Sequence, residues 1–173
     1  MIWSIIEGNI GSGKTWNMRH NPTFKDYIIC EQPVHEWDLL KPYYHDRKTY
    51  ALALQKQILA SYAKIMKSYE GQDVHLLIES GHLGSRYIFC PLLFHEGYLD
   101  KQEVDEFMAC IPEFQGGPQK IYLLSTDPDQ CLINIRQRGR PGEENITKAY
   151  LESLDSNIKG EYTNKYKNII SYI

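Results

Sequence analysis

Cysteine is scarce and scattered. Cys30, Cys90, Cys110 and Cys131 are the four present, and no two form a C-x-x-C. That spacing fits reduced thiols rather than a disulfide framework. The six histidines show no ligand spacing either, so a zinc site is not expected. No apolar run approaches the length of a membrane span, and no signal peptide is evident, because the first apolar segment runs from Ile2 straight into a glycine-rich loop. No excess of positive charge is present: the net charge is −3, which argues against a nucleic-acid track. Repeats, low-complexity tracts and linkers are missing as well. The 173 residues therefore read as a single domain over 1–173, with a cytoplasmic location expected.

What is there begins at residue 8. Gly8-Asn9-Ile10-Gly11-Ser12-Gly13-Lys14-Thr15 is a glycine, four residues, then Gly-Lys-Thr. This is the pattern of a loop that cradles phosphates. Glycines let the backbone approach a phosphate closely, and successive amides form an anion-binding concavity. A following helix would aim its positive end at the same point. Lys14 supplies a mobile charge for β and γ phosphates, and Thr15 a hydroxyl for magnesium. The motif is short enough to arise by chance, so its context decides: Ile2, Trp3, Ile5 and Ile6 predict a strand before it, and a helix can follow.

Five apolar runs predict strands: Trp3–Glu7, Tyr27–Cys30, Val74–Glu79, Lys120–Ser125 and Asn168–Ile173. Strands alternating with helices predict an α/β fold, a parallel sheet covered on both faces. The longest helix is expected over Thr49–Tyr69, stopping at Gly71, with Leu54, Ile58, Ile65 and Tyr69 as its apolar stripe. A second is expected from Asp100 to Cys110, before Pro112. A third starts at Asp127-Pro128-Asp129, an N-cap followed by proline, and ends in arginines. Ligands of parallel sheets sit beyond the carboxyl ends of the strands, which is where the polar blocks fall.

Those blocks are Glu31-Gln32-Pro33-Val34-His35-Glu36-Trp37, Glu79-Ser80-Gly81-His82-Leu83-Gly84-Ser85-Arg86-Tyr87, Arg136-Gln137-Arg138-Gly139-Arg140-Pro141-Gly142-Glu143-Glu144 and Tyr150-Leu151-Glu152-Ser153-Leu154. With the phosphate loop, their order resembles the deoxynucleoside kinases, from Ile2 to about Tyr162. The resemblance implies a P-loop kinase fold: a five-stranded parallel sheet flanked by helices, with an arginine-rich lid. It implies transfer of the γ-phosphate of ATP to the 5′-hydroxyl of a deoxynucleoside, in nucleotide salvage, with ATP and Mg2+ as cofactors. Arg136, Arg138 and Arg140 match the lid; read alone they are equally a basic helix terminus complementing the dipole. Glu79 matches the strand-end acid that helps hold magnesium; read alone it is a carboxylate paired with an arginine such as Arg86.

Gln55, Ile58, Leu59 and Tyr62 share one helix face by their spacing. A glutamine among apolar side chains is costly unless its amide is paired, and its donor and acceptor could read a base edge. The resemblance assigns Gln55 that role, Tyr44 and Glu143 or Glu144 the sugar 3′-hydroxyl, and Trp37 a pocket wall. On their own residues, Gln55 and Tyr44 read as surface and Trp37 as core. Ile58, Tyr62, Ser85 and Arg86 fall at the remaining substrate-binding positions. Tyr62 and Ser85 lack the arginine–aspartate pairing of deoxycytidine kinases, which leans toward thymidine or a broad pyrimidine specificity.

Three departures from the family pattern stand out. Gln32 occupies the place of the glutamate that serves as general base, and a glutamine takes no proton at neutral pH. Glu31 could replace it only where the strand has ended or bulged, since neighbours along a strand face opposite ways. Ser80 stands where the family has an arginine, and Pro141-Gly142 adds a residue to the lid. Two other readings compete: a nucleoside monophosphate kinase of the same fold, and a catalytically weak nucleotide-binding module. A regulatory GTPase is disfavoured because no Asn-Lys-x-Asp is present. A homodimer is expected from the resemblance; no membrane or nucleic-acid partner is.

Overall fold

A computed structural model of the chain describes residues 1–111 and 117–173. Pro112, read as the stop of the second helix, lies outside the described residues. The chain divides into two compact units: Met1–Gln32, Gly71–Ser80 and Gly116–Ile173 form one, Pro33–Glu70 and Gly81–Gln115 the other.

The first unit holds the sheet. Its strands are β1 (Ile2–Gly8), β2 (Ile28–Cys30), β3 (His75–Glu79), β4 (Ile121–Leu124) and β5 (Ile170–Tyr172). They pair in the order β2-β3-β1-β4-β5, and every pairing is parallel. All five predicted strands are present, each within two residues of its expected ends. β1, β3 and β4 are apolar nearly throughout because they are covered on both faces. Alternation along β1 assigns the faces. Ile6 packs with Leu77, Tyr122 and Met18 of α1 (Lys14–His20). Glu7, its neighbour, accepts a hydrogen bond from Tyr162 of α8 (Lys148–Tyr166) on the opposite face. The expected N-cap of α7 (Pro128–Arg138) forms as predicted: Asp127 accepts from the Asp129 amide, Pro128 opens the helix, and Gly139 ends it with φ of 61°.

The second unit is helical. It comprises α2 (Leu40–His45), α3 (Arg47–Ser68), α4 (Gly81–Gly84), α5 (Cys90–His95) and α6 (Lys101–Ala109). A π-helical turn at Ser85–Phe89 joins α4 to α5 without a break. Its core is Ala51, Leu59, Cys90, Leu93, Leu99 and Phe107. The long helix begins two residues earlier than expected because Asp46 caps it, accepting from the Thr49 amide. Its predicted stripe is buried only at Leu54. Ala51, Leu54, Gln55, Leu59, Tyr62 and Met66 are buried, whereas Ile58, Ile65 and Tyr69 are only half-buried. Apolar residues occupy several faces of this helix, so periodicity alone does not select the one that packs. No helix among the described residues is long and apolar enough to cross a membrane.

Candidate active site

The phosphate loop leaves β1 at Gly8 and enters α1 at Lys14. Its shape is locked from several sides. Asn9 is fully buried; its Nδ2 donates to the Leu151 carbonyl at 2.7 Å, and its Oδ1 accepts from the Ile10 amide at 2.9 Å. Asn134 Nδ2 donates to the Gly11 carbonyl at 2.7 Å, and Thr126 Oγ1 to the Ser12 carbonyl at 2.9 Å. Gly11 has φ of 76°, and a Cβ there would sit 2.5 Å from the Cys131 carbonyl oxygen. Only glycine meets both demands. Lys14 is buried and donates to the carbonyls of Gly8 and Asn9, each at 2.9 Å, which keeps its ammonium at the mouth of the loop. Ser12 Oγ is buried with no hydrogen-bond partner among the described residues, a polar atom facing a loop built for anions.

Beside the loop, the carboxyl ends of β1, β2 and β3 present three glutamates. Ile6 pairs with Glu79 and Cys30 with Ile78, so Glu79 and the residue after Cys30 extend toward the face that carries α1. Thr15 Oγ1 donates to Glu79 Oε2 at 2.9 Å. A hydroxyl and a carboxylate brought together this way are the hard oxygens magnesium prefers, so these residues fit the ion. One turn along α1, Arg19 makes a two-pronged ion pair with Glu31, its Nη2 lying 2.7 Å from Oε2. β2 ends at Cys30, so Glu31 stands past the strand, as a substitute base requires. Gln32 is half-buried beside it.

Glu7 points to the other face and is fully enclosed. It accepts from the Gly8 amide at 3.0 Å, from Ser80 Oγ at 3.0 Å and from Tyr162 at 2.9 Å. Burial pushes its carboxyl above the usual range, against the charge of Lys14 and these three donors. Ser80 adopts φ of 60°, a left-handed conformation uncommon outside glycine. The hydrogen bonds from its amide to the Ile6 carbonyl and from its hydroxyl to Glu7 hold it there.

The arginine-rich segment follows α7. Arg138 Nη2 lies 2.7 Å from Glu143 Oε2, and Arg140 Nη1 3.2 Å from Oε1. Glu143 is 3% exposed, so the two guanidinium groups neutralise a buried charge. Arg136 is exposed, and Glu144 faces solvent while accepting from the Gly142 amide at 2.8 Å. A cavity of about 240 Å³ opens among Ile135, Arg136, Gly139, Arg140, Glu143 and Glu144.

The helical unit gathers most of the remaining candidates. Gln55 is 4% exposed, and its Oε1 has no hydrogen-bond partner among the described residues. Trp37 is buried; its Nε1 donates to Ser61 Oγ at 3.0 Å, and its ring meets Tyr62 edge-on with centroids 6.5 Å apart. Gln55 and Trp37 thus belong to the interior, and the surface reading of Gln55 is corrected. Tyr44 is half-buried against Tyr43, and Ile58 is half-buried on α3. Ser85 is buried at the start of the π turn; Arg86 is exposed, its guanidinium 5.2 Å from the Tyr87 ring. π turns of this kind recur at functional sites. His82, buried nearby, has its pKa depressed to about 4, first by burial and then by the Arg86 charge.

The sequence model of the deoxynucleoside kinases matches residues 5–171. The chain belongs to the deoxynucleoside kinase family. It is 30% identical over 162 residues to a kinase-named protein of Invertebrate iridescent virus 3, covering 93% of this chain and 83% of that protein. It is 28% identical to the deoxyguanosine kinase of Dictyostelium discoideum, over 96% of this chain and 61% of that enzyme. Its fold is similar to that of the deoxyadenosine kinase of M. mycoides with bound dATP, with a TM-score of 0.83, 20% identity, and coverage of 99% of this chain and 90% of that one. As a family member the chain is a nucleotide-binding phosphotransferase.

Within this kinase, the residues that sequence reasoning overlooked are Glu7, Arg19 and Tyr162. Glu7 carried a signal: an acid closing an otherwise apolar strand must find donors. Arg19 carried only its spacing of four from Thr15, and Tyr162 carried none.

Proposed function

We propose that this deoxynucleoside kinase transfers the γ-phosphoryl group of ATP to the 5′-hydroxyl of a pyrimidine deoxynucleoside, or of a broad set of deoxynucleosides, for nucleotide salvage. The observation that carries the acceptor assignment is Gln55, buried on α3 with a carbonyl that finds no partner among the described residues. A primary amide in that state costs free energy unless a ligand pairs with it, and a base edge offers the matching donor and acceptor. Trp37, Tyr62, Ile58 and Ser85 supply apolar and small neighbours for a planar ring. Arg86, Tyr44 and one of Glu143 or Glu144 are read as the other acceptor contacts, the last two toward the sugar 3′-hydroxyl.

On the donor side, residues Gly8 to Thr15 hold the triphosphate through backbone amides and Lys14. Thr15 and Glu79 would hold magnesium, which when bound neutralises charge on the β and γ phosphoryl oxygens. Phosphoryl transfer depends mostly on positioning and charge neutralisation. Arg136, Arg138 and Arg140 are suited to the charge that accumulates on the transferred group and to excluding water from it. Glu31, beyond the end of β2, is read as the base for the 5′-hydroxyl in place of Gln32. A homodimer rests on the family likeness alone, and a cytoplasmic location on the scattered cysteines, which fit reduced thiols.

The test offers each of the four deoxynucleosides, and thymidine monophosphate separately, with labelled ATP and magnesium. Label should enter one or more nucleosides, and Lys14→Ala should abolish that transfer while leaving circular dichroism unchanged. Label appearing only in the monophosphate would replace this reading with a monophosphate kinase. Comparable activity in Lys14→Ala would remove the phosphate loop from the chemistry.

A further inference from the structure

The bidentate ion pair between Arg19 and Glu31 lies where a solvated surface pair has little reason to be. Arg19 shares a face of α1 with Thr15, four residues before it. Thr15 reaches Glu79 at the end of β3, and Arg19 reaches Glu31 just past the end of the neighbouring β2. The two contacts therefore run in parallel from one helix to two adjacent strand ends. The Arg19 guanidinium holds its proton more firmly than usual, chiefly through the hydrogen bond and charge of Glu31, with Glu79 adding to it. Arg19 thus lies within the field of both carboxylates, beside the loop that grips phosphate. Its side chain is 59% exposed and that of Glu31 33% exposed. An exposed pair of this sort adds little to stability.

We propose that Arg19 is a positioning residue for phosphoryl transfer, aiming the Glu31 carboxylate at the acceptor hydroxyl. The inference rests on Glu31 being the base. A glutamate just past a strand end has free rotamers, and a base gains its effect only when held within hydrogen-bond reach of its proton. The planar guanidinium fixes both carboxylate oxygens at once, which a single-point contact cannot do. In the step itself, Glu31 accepts the proton of the 5′-hydroxyl as that oxygen bonds to the γ phosphorus. The bond from that phosphorus to the β,γ-bridging oxygen breaks, ADP leaves with the electron pair, and Glu31 later releases the proton to water.

Steady-state kinetics with ATP and an accepted deoxynucleoside, on the native protein, Arg19→Met, Arg19→Lys, Glu31→Gln and the Arg19→Met/Glu31→Gln double variant, tests this. Loss of the base should lower kcat by about a hundredfold or more, and loss of its positioner by about tenfold or more. KM for ATP and the melting temperature should hold in both variants. Arg19→Lys should recover part of the loss. The double variant should be no slower than Glu31→Gln, because Arg19 acts through the Glu31 carboxylate. Native kcat in Arg19→Met, or losses that multiply in the double variant, would overturn the proposal. A native protein that phosphorylates no nucleoside would bring down the functional reading itself, and this inference with it.

Discussion

Gln55, Glu7 and His82 are polar side chains held in apolar surroundings, and each has a different resolution. Glu7 is met by three donors, the Gln55 carbonyl finds no partner among the described residues, and burial favours the neutral form of His82. For His82 the consequence is measurable. Its folded pKa of about 4 lies below the ordinary 6.5, so the unfolded chain binds the proton more readily. The neutral imidazole therefore costs the fold nothing above pH 6.5, and stability should fall as the pH drops from there through 4. The loss attributable to this one group is on the order of 3 kcal/mol. Urea unfolding of native protein and His82→Gln at pH 7 and pH 4.5 checks it. The variant should show the shallower pH dependence, and equal slopes would remove His82 as the cause.

At the scale of elements, α8 is tied to the phosphate loop twice: directly, through Asn9 Nδ2 and the Leu151 carbonyl, and through the strand residue Glu7. Tyr162 donates to Glu7, and Glu7 in turn accepts from the first amide of the loop. Tyr162→Phe deletes the hydroxyl alone and leaves a buried carboxylate one donor short. The expected cost is about 1–3 kcal/mol, with the Glu7 carboxyl raised further. Equilibrium denaturation measures the first; stability indistinguishable from native would mean that the Tyr162 hydroxyl contributes nothing to holding α8. This tie was invisible in the sequence because it joins positions 155 apart. The strands were legible because burial on both faces demands unbroken apolar runs, and the start of α7 was legible because Asp127 and Pro128 each answer a local backbone need. The stripe of α3 was not, since Ala, Leu, Ile and Tyr surround that helix and the choice of packed face depends on partners far along the chain. The same distinction divides the site. Gly8 to Thr15 are recognised by local geometry, whereas Arg19 and Glu31 meet only through the fold.

Across the whole molecule, the residues assigned to the phosphate donor and those assigned to the nucleobase belong to different compact units: the phosphate loop, Thr15 and Glu79 to one, Gln55, Trp37 and Tyr62 to the other. Binding of each substrate class should therefore be separable by mutation. A ligand that binds only the folded state at a hundred times its Kd adds about 2.7 kcal/mol of stability. For a chain of this length that is a rise in Tm of roughly 5–10 °C. Magnesium ATP and an accepted deoxynucleoside should each produce such a rise in the native protein. Lys14→Ala should lose the response to magnesium ATP and keep the response to nucleoside, and Gln55→Ala should do the reverse. Both variants remove side-chain contacts without touching the loop glycines or the apolar core, so their melting without ligand serves as the control for folding. A Lys14→Ala protein that still responds fully to magnesium ATP would mean that the nucleotide is gripped elsewhere. A Gln55→Ala protein with native nucleoside response would mean that the buried amide reads no base.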